Sequence, residues 1–211
     1  MKKKILYVVN IDSFFISHRE DIALKAKSFL KIHLATKFKR NVNYFKKKKI
    51  YTHNLFIERG KFSIFSNLIT MINIFLIIIK IRPDLIHFIS IKPVLLGGLI
   101  SRLFPTVPKI FSITGLGSAF IKDDNFSKIK NVFLSFLYKI ALNQKNIKII
   151  FQNKDDLNYF EKVKISKNLK KEIIEGSGVD SSFYAYKKIL PFPIKFFLAA
   201  RLLNEKGINE Y

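Results

Sequence analysis

Residues 82–114 read RPDLIHFISIKPVLLGGLISRLFPTVPKIFSIT and contain the clearest indication of the fold. Asp84–Ser90 is a short apolar run of the kind found in a buried parallel strand, and the proline before it ends any preceding helix. Pro93 suits the first turn of a helix, which the apolar residues 94–104 continue. A second apolar run, Lys109–Thr114, predicts another strand, so this stretch predicts one β–α–β unit.

The same alternation runs along the rest of the chain. Apolar runs alternate with segments of helical spacing seven times, which predicts an α/β fold with a doubly wound parallel sheet and helices on both faces. Ligands bind such sheets at the carboxyl ends of the strands. The further predicted strands are Ile5–Asn10, Lys31–Thr36, Ile50–Ile57, Ile147–Gln152, Lys171–Glu175 and Phe196–Ala200, while Ile11–His18 is predicted as a loop, Arg19–Leu30 as a helix and Phe38–Lys49 as an exposed segment.

Charge is the most unusual property of the composition. The 211 residues include 38 Lys and Arg against 15 Asp and Glu, a formal net charge of +23, yet 49% are hydrophobic. That apolar content excludes a disordered polycation, which could not bury a core. A surface this basic attracts nucleic acid, anionic lipid or phosphorylated substrates, although codon bias toward Lys, Ile, Asn and Phe is an alternative source of the excess. The absence of Cys excludes disulfides, thiolate metal sites and a Cys nucleophile.

Two apolar segments have more than one interpretation. Phe62–Ile79 holds 18 uncharged residues, about 27 Å as a helix, with polar residues three and four apart on one face. It is either a helix packed on the sheet, with its C-terminal half buried, or a helix that dips into or spans a membrane. In Phe126–Leu142, the apolar residues Val132, Phe133 and Phe136 belong to a stripe that faces either the core or an anionic bilayer.

The last part of the chain predicts a domain boundary. Pro191-Phe192-Pro193 interrupts the alternation and is typical of a linker. The strand at Phe196–Ala200 would then open a new β–α unit, and the sequence ends at Tyr211 before the helix of that unit is complete. We therefore expect one domain over residues 1–190, and over residues 191–211 a linker with the truncated start of a second domain.

Five segments, taken in order, resemble the family 4 glycosyltransferases of the GT-B fold, which has two facing Rossmann-like domains. Each segment alone is a weak signal, whereas their order and spacing together cover nearly the whole chain. The segment Ile113–Gly117, together with the Phe-Ile pair shortly after it, is similar to the corresponding segment of enzymes that act on polyprenyl-diphosphate-linked sugars. The segments are Ser13–Arg19 after the first strand; Arg82–Phe88, similar to RPDxVHxH; Ile113–Gly117, similar to xHGLG; Gly176–Asp180, similar to xGVD; and Ala200–Gly207, similar to GRLxxxKG.

The resemblance implies the N-terminal, acceptor-side domain of a retaining glycosyltransferase, followed by the first strand of a donor domain. Such enzymes move a sugar from a nucleotide diphosphate to an acceptor hydroxyl, so a nucleotide-diphosphate sugar is expected as substrate and no cofactor is expected. Arg201 and Lys206 match the family's residues that bind the donor diphosphate, where Arg offers a bidentate fork and Lys a point charge. Catalytic residues are not identified. The family's donor-binding glutamates belong to the second domain, so we expect little or no transfer by this chain alone.

Six residues are candidates for acceptor binding because they lie at predicted carboxyl ends of strands. Gly115 and Gly117 would let the backbone approach a sugar or phosphate closely, and Lys92 suits an acceptor phosphate. Thr114 stands where many relatives have His, and its hydroxyl cannot supply the change of charge that imidazole undergoes near neutral pH. His87 is expected in mid-strand as a core histidine. The six candidates are His18, Lys92, Thr114, Gly115, Gly117 and Ser118.

The expected partners are a nucleotide sugar and a polyprenyl-linked or glycan acceptor, which indicates cell-surface polysaccharide biosynthesis. The alternative is a non-catalytic module that binds a lipid-linked glycan or an anionic membrane. Nucleic acid is not expected, because no helix-turn-helix, RNP-like or zinc-binding spacing accompanies the charge. The adjacent acids Asp123-Asp124 and Asp155-Asp156 point apart, so no metal site is indicated. A cytoplasmic location is expected, with the inner face of the cytoplasmic membrane as a peripheral position.

Overall fold

The computed structural model describes residues 2–39, 42–58, 63–115, 125–165, 169–184, 186, 193, 196–200 and 207–210. The chain divides into two compact units, Met1–Gly178 and Val179–Tyr211. Within the second unit, Ser181–Phe183 forms a single 3₁₀ turn, and the Asp180 carboxylate accepts a hydrogen bond from the N–H of Ser182. The domain boundary that the sequence places after residue 190 stays a prediction.

The first unit is built on a seven-stranded sheet. Its strands are β1 (Lys3–Ile11), β2 (Leu30–Lys37), β3 (Tyr51–Asn54), β4 (Leu85–Ile89), β5 (Lys109–Ile113), β6 (Ile147–Phe151) and β7 (Lys171–Ile173). The order across the sheet is β3-β2-β1-β4-β5-β6-β7, and every pairing is parallel. This confirms the predicted α/β fold with a doubly wound parallel sheet. The direction of winding reverses between β1 and β4, which is where such sheets bind ligands.

Helices cover both faces of the sheet. They are α1 (Asp12–His18), α2 (Glu20–Ala26), α3 (Val42–Lys47), α4 (Ile64–Ile81), α5 (Ile91–Ser101), α6 (Asn125–Leu142) and α7 (Lys154–Lys162). Helices α1 to α3 contribute to the apolar cluster on one face, and α4 to α7 contribute to the cluster on the other. The two clusters follow from the alternation of side chains along each strand, since Tyr7 and Val9 point to the first face and Leu6 and Val8 to the second.

Phe88 lies near the centre of the larger cluster. Its ring stacks on Phe111 of the next strand, with 5.4 Å between ring centroids, and both side chains are fully buried. The ring also lies directly against Gly97 of α5, where a Cβ would overlap it. The absence of a side chain at Gly97 therefore allows α5 to approach β4 closely. Burial of each such ring contributes about 1.5–3 kcal/mol to stability.

The Ile11–His18 segment, predicted as a loop, forms α1 instead. Phe15 is fully buried and packs edge-on against Tyr7, with 5.5 Å between ring centroids. The carboxylate of Asp12 accepts a hydrogen bond of 2.8 Å from the N–H of Ser13 in the first turn. A buried aromatic anchor and an acid at the N-terminus stabilise a helix that is too short to be stable alone.

The Lys-rich segment Phe38–Lys49 is mostly exposed in its described residues, as expected, but it also contains α3, whose Phe45 is fully buried against the rings of Phe15 and Phe38. The predicted strand at Phe196–Ala200 is not a strand, and Phe197 is mostly exposed. A strand needs a hydrogen-bonded neighbour, and no ladder among the described residues includes this segment.

Helix α4 has its polar side chains on the inside. Asn67 and Thr70 are buried, and the Thr70 hydroxyl donates a 2.6 Å hydrogen bond to the carbonyl of Phe56. The opposite side, which we call the outer face of α4, consists of exposed apolar side chains: Phe65, Leu68, Ile69, Ile72, Leu76 and Ile79. Only 33% of the residues of α4 are buried. The C-terminal half of the helix was expected to be buried, and it is buried on one side only.

Helix α6 also places aromatic side chains outward. Leu134 and Tyr138 belong to the core, whereas Val132, Phe133 and Phe136 are exposed. Of the two interpretations of that stripe, burial in the core is therefore excluded for these three residues. Helices α4 and α6 both pack against α5, so their exposed apolar side chains lie on the same side of the sheet.

Candidate functional site

Four of the predicted acceptor residues lie near the carboxyl ends of three neighbouring strands. His18 ends α1, which follows β1; Lys92 is in the first turn of α5, which follows β4; and Thr114 and Gly115 directly follow β5. Because β1, β4 and β5 are adjacent in the sheet, these residues share one edge. The other candidates, namely Gly117, Ser118, Arg201 and Lys206, lie outside the described residues.

His18 is an exposed side chain held in one orientation by its own helix. Its ring stacks on Phe14, with 4.2 Å between centroids and 9° between planes. Its Nδ1 lies 2.6 Å from the hydroxyl of Ser17. The Nε2 atom is therefore the ring nitrogen that remains for contact with a ligand.

A strained turn leads into the helix that carries Lys92. Ser90 has φ 77° and ψ 165°, a region of backbone space that is essentially restricted to glycine and costs about 1–3 kcal/mol. Its N–H donates to the carbonyl of Ser112 at 3.2 Å. This turn directs the first turn of α5 toward the carboxyl edge. Burial lowers the pKa of Lys92, and the nearby carboxylate of Glu58 opposes that shift.

Gly115 has the backbone conformation that the sequence predicts for a close approach. Its φ is 115°, which L side chains rarely adopt, and among the described residues beyond its chain neighbours no atom lies within 4 Å of the position that a Cβ would occupy. Thr114 before it is half-buried. The backbone conformation at the end of β5 is therefore one that only glycine adopts without strain.

Beside this edge, the sheet face that carries Tyr7 forms a cavity of about 310 Å³. Its polar wall consists of Tyr7 on β1, His87 on β4, Ser112 on β5 and Arg19 at the junction of α1 and α2. Gly176–Gly178, which follows β7, closes one side. Apolar side chains supply the rest of the lining, including Ile22, Ile150 and Ile174.

Arg19 is the central charge of this cavity. It is 7% exposed, and its Nη1 donates to the carbonyl of His18 at 2.9 Å and to the hydroxyl of Ser177 at 2.8 Å. Burial lowers the pKa of Arg19, and Tyr7 opposes the shift. Burial also raises the pKa of Tyr7 to about 12, against the effect of Arg19, so the phenol keeps its proton at neutral pH.

His87 forms a hydrogen-bonded pair with Ser112 across two strands. The His87 Nε2 lies 2.7 Å from the Ser112 hydroxyl. Burial, and secondly the charge of Arg19, lowers the pKa of His87 to about 3. The imidazole is neutral at physiological pH, which agrees with the expectation of a structural histidine in mid-strand.

Sequence reasoning did not single out Arg19, Tyr7, Ser112 or Ser177 as members of a site. Arg19 and Ser177 do lie within segments that resemble family motifs, which is the one available signal. Nothing in the linear order indicates that these two residues meet. Tyr7 and Ser112 read as ordinary strand residues.

A second cavity, of about 600 Å³, lies where β2 and β3 end and α4 begins. Phe38, Phe56, Phe65 and Ile69 line it together with Lys37. Two of these residues, Phe65 and Ile69, also belong to the outer face of α4. The cavity therefore connects the carboxyl edge of the sheet to that exposed apolar surface.

No cluster of three or more metal-ligating side chains occurs among the residues that the structure describes. The described part of the chain has one helix, α4, that is long and apolar enough to cross a membrane, and a core helix can meet the same criteria.

Comparisons with known proteins give one family match. The family model described as "Glycosyl transferase 4-like" matches residues 4–153. No curated protein matches the sequence.

Solved structures share the fold at low sequence identity. A sucrose-phosphate synthase from Thermosynechococcus elongatus is 12% identical, with a TM-score of 0.57 over 82% of this chain and 48% of that chain. A protein described as a UDP-N-acetylglucosamine 2-epimerase from Listeria monocytogenes is 12% identical, with a TM-score of 0.52 over 77% of this chain and 42% of that one. The chain thus spans less than half the length of these two structures, and the likeness extends to the fold alone.

Proposed function

Because the chain belongs to the glycosyl transferase 4-like family, we propose that it supplies the acceptor-side domain of a retaining glycosyltransferase. The enzyme moves a sugar from a nucleotide-diphosphate donor to a lipid-linked or cell-surface glycan acceptor. The observation that carries this proposal is the family match over residues 4–153. The arrangement of His18, Lys92 and Gly115 along one edge of the sheet supports it.

The chemistry requires positive charge and N–H donors near a diphosphate leaving group. In our proposal Arg201 and Lys206 supply that charge on the donor side, as their match to the family motif implies. The acceptor is bound by the N-terminal domain through His18, Lys92, Thr114, Gly115, Gly117 and Ser118. Lys92 and the N-terminal end of α5 favour an anionic acceptor, because the N-terminus of a helix carries partial positive charge.

We further propose that residues 1–190 form the acceptor domain and that residues 191–211 lead into the donor domain. This chain spans less than half of the solved structures that it resembles. We propose that transfer depends on donor-binding groups of that second domain, and that residues 1–211 by themselves have little or no activity.

The outer face of α4 supports a lipid-linked acceptor. Six apolar side chains are exposed along one side of that helix, and the cavity of about 600 Å³ lies at its start. An isoprenoid chain fits such a surface chemically, while the net charge of +23 favours an anionic leaflet. We therefore place the protein in the cytoplasm, peripherally on the inner face of the cytoplasmic membrane, in cell-surface polysaccharide biosynthesis.

The same exposed apolar face favours a second candidate, a non-catalytic module that binds a lipid-linked glycan or an anionic membrane. A module that binds only the membrane differs from the acceptor domain in that its sheet edge does not bind the acceptor's sugar and phosphate groups. A module attached only through α4 would bind bare vesicles as well as vesicles that carry the acceptor.

The test uses the 211-residue chain with nanodiscs that contain a polyprenyl-diphosphate-linked sugar. We expect binding that Lys92→Gln weakens about fivefold, since one charged contact to a phosphate is lost, while the exposed Lys154→Gln has no effect. Equal binding to empty nanodiscs would overturn acceptor recognition at the sheet edge. A panel of nucleotide sugars is then added. Sustained turnover would contradict inactivity of the chain alone, and a product of inverted anomeric configuration would contradict retention.

A further inference from the structure

One edge of the Arg19 guanidinium has no hydrogen-bond partner among the residues that the structure describes. Both side-chain hydrogen bonds that Arg19 makes to described residues leave from Nη1. The Nε atom is buried and has no hydrogen-bond partner. The Nε–Nη2 edge is the fork that binds two oxygens of one oxyanion side by side, and in Arg19 this fork is unused.

The charge of Arg19 is also not neutralised by the surrounding protein. Among the described residues, no carboxylate lies within 4 Å of its guanidinium. Glu175 does line the same cavity, but its side chain is exposed. A buried arginine is normally paired, because an unpaired buried cation is costly. A bound anion would therefore stabilise the buried guanidinium of Arg19.

Several of the other polar groups that line the cavity are hydrogen-bond donors, and they come from separate elements. The Tyr7 hydroxyl is on β1, and burial keeps its proton in place. The Ser177 hydroxyl and the N–H groups of Gly176 and Gly178 belong to the segment after β7. Donors that approach from β1, from the α1–α2 junction and from this segment suit a group with oxygens on several sides.

We propose that the cavity around Arg19 is a binding subsite for a phosphoryl group, which the Nε–Nη2 edge of Arg19 holds in a bidentate manner. A tetrahedral phosphoryl group offers oxygens to Tyr7 and to the Gly176–Gly178 segment in addition to the arginine, whereas a planar carboxylate offers only two. The volume of about 310 Å³ accommodates a phosphate or diphosphate with part of the group attached to it. This inference rests on the proposed function only for the identity of the molecule that carries the phosphoryl group.

Nuclear magnetic resonance of the full chain labelled with ¹⁵N-arginine tests the site directly. The probe is inorganic pyrophosphate, and the signal of Arg19 is identified by its loss in Arg19→Lys. We expect the Nε resonance of Arg19 to shift with saturation on titration. Sodium acetate at equal concentration should move it far less. An unchanged Arg19 signal would overturn the subsite, and an equal response to acetate would overturn its selectivity for phosphoryl groups.

Affinities of variants separate binding from a structural role. Arg19→Lys keeps the charge and loses the fork, so the dissociation constant for pyrophosphate should rise about tenfold. Arg102→Lys is the matched control, because Arg102 is exposed and donates to the carbonyls of Ile140 and Asn143, and it should leave the constant unchanged. Equal affinity of Arg19→Lys and the wild-type protein would contradict the proposal. Because the Nε shift is read on the wild-type protein, poor folding of a variant does not remove the test.

A second titration series identifies the source of the phosphoryl group. Farnesyl diphosphate, farnesol and uridine diphosphate are compared on the same Arg19 signal. A response to farnesyl diphosphate and not to farnesol indicates a lipid acceptor, and a response to uridine diphosphate indicates the donor; either supports a phosphoryl subsite. A response to farnesol equal to that of farnesyl diphosphate would overturn it. None of these measurements requires sugar transfer, so failure of the proposed transferase activity would be seen separately.

Discussion

The Nη1 atom of Arg19 donates a 2.8 Å hydrogen bond to the hydroxyl of Ser177, a residue 158 positions further along the chain. This contact joins the α1–α2 junction to the segment that follows the last strand of the sheet. It closes one wall of the cavity that also contains Tyr7 and His87. The first and last parts of the sheet-bearing unit are thereby fixed to each other at the candidate site.

Removal of the Ser177 hydroxyl should destabilise the protein. Ser177→Ala leaves a buried guanidinium N–H without its partner, which costs about 1–3 kcal/mol. The measurement is the midpoint of urea unfolding. Ser13→Ala, at an exposed position on α1, is the control and should change the midpoint little. Identical midpoints for both variants would show that the Arg19–Ser177 contact carries no stability.

His87 should make the folded protein less stable in acid. Burial lowers the pKa of His87 from its ordinary value of 6.5 to about 3 in the folded state, so between these pH values the unfolded chain binds the proton and the folded one does not. Stability contributed by the neutral imidazole is present above pH 6.5 and falls as the pH drops toward 3, by up to about 1.4 kcal/mol per pH unit.

His87→Gln removes this titration, so its unfolding free energy should depend less steeply on pH in that range than that of the wild-type protein. Chemical unfolding at several pH values measures the slope. Asn158→Ala, an exposed substitution that changes no titratable group, should keep the wild-type slope. If His87→Gln also kept the wild-type slope, the neutral state of the His87 imidazole would contribute nothing to the loss of stability in acid. Arg19 and Tyr7 face His87 and stay unchanged in both variants.

The outer face of α4 should mediate attachment to anionic vesicles. Phe65 and Ile72 are 73% and 50% exposed on that face, and insertion of apolar side chains into the interface adds to the attraction of a basic surface. The double variant Phe65→Ser with Ile72→Ser should lower the fraction that floats with anionic liposomes severalfold.

Phe29→Ser provides a matched control for this experiment. Phe29 is 64% exposed and lies just after α2, whose helix covers the opposite face of the sheet. Attachment of the wild-type protein should weaken but persist in high salt, because salt screens only the electrostatic part. Equal loss of flotation for the Phe29 variant, or none for the double variant, would refute a specific role of α4.

Asn153 should stabilise α7 as its N-cap. Its side-chain oxygen accepts a 2.7 Å hydrogen bond from the N–H of Asp156. Asn153→Ala should lower the free energy of unfolding by about 0.5–2 kcal/mol. Asn158→Ala changes the same residue type at an exposed position within the helix and should be neutral or slightly stabilising, because alanine favours helix. Thermal or urea unfolding of the two variants decides between these outcomes.

Local patterns predicted several features that the structure confirms. Pro93 lies in the first turn of α5, and the strand predicted directly after Pro83 is β4. These features depend on residues near one another in sequence, since proline acts within one turn. The segment over 11–18 was predicted wrongly because its helix is stabilised by Phe15, whose partners Tyr7 and Phe45 are supplied by other elements.

The apolar segments show a second limit of local patterns. The spacing of residues 62–79 defined a polar and an apolar side, but spacing alone does not say which side faces the sheet. In the structure Thr70 and Asn73 turn inward because the backbone of Phe56 needs hydrogen-bond partners there, and buried backbone groups must be satisfied. The apolar side is consequently left exposed.

By itself, the sequence determined the parallel α/β sheet, the family resemblance and the set of residues near the carboxyl ends of the strands, because short apolar runs and motif order are local properties. Tertiary structure decided which of these residues meet. It brought Arg19 beside Ser177 and Tyr7 beside His87, and it placed these side chains around one cavity. Such contacts depend on strand order and on the path of the chain between strands. Neither can be deduced from the spacing of residues along the sequence.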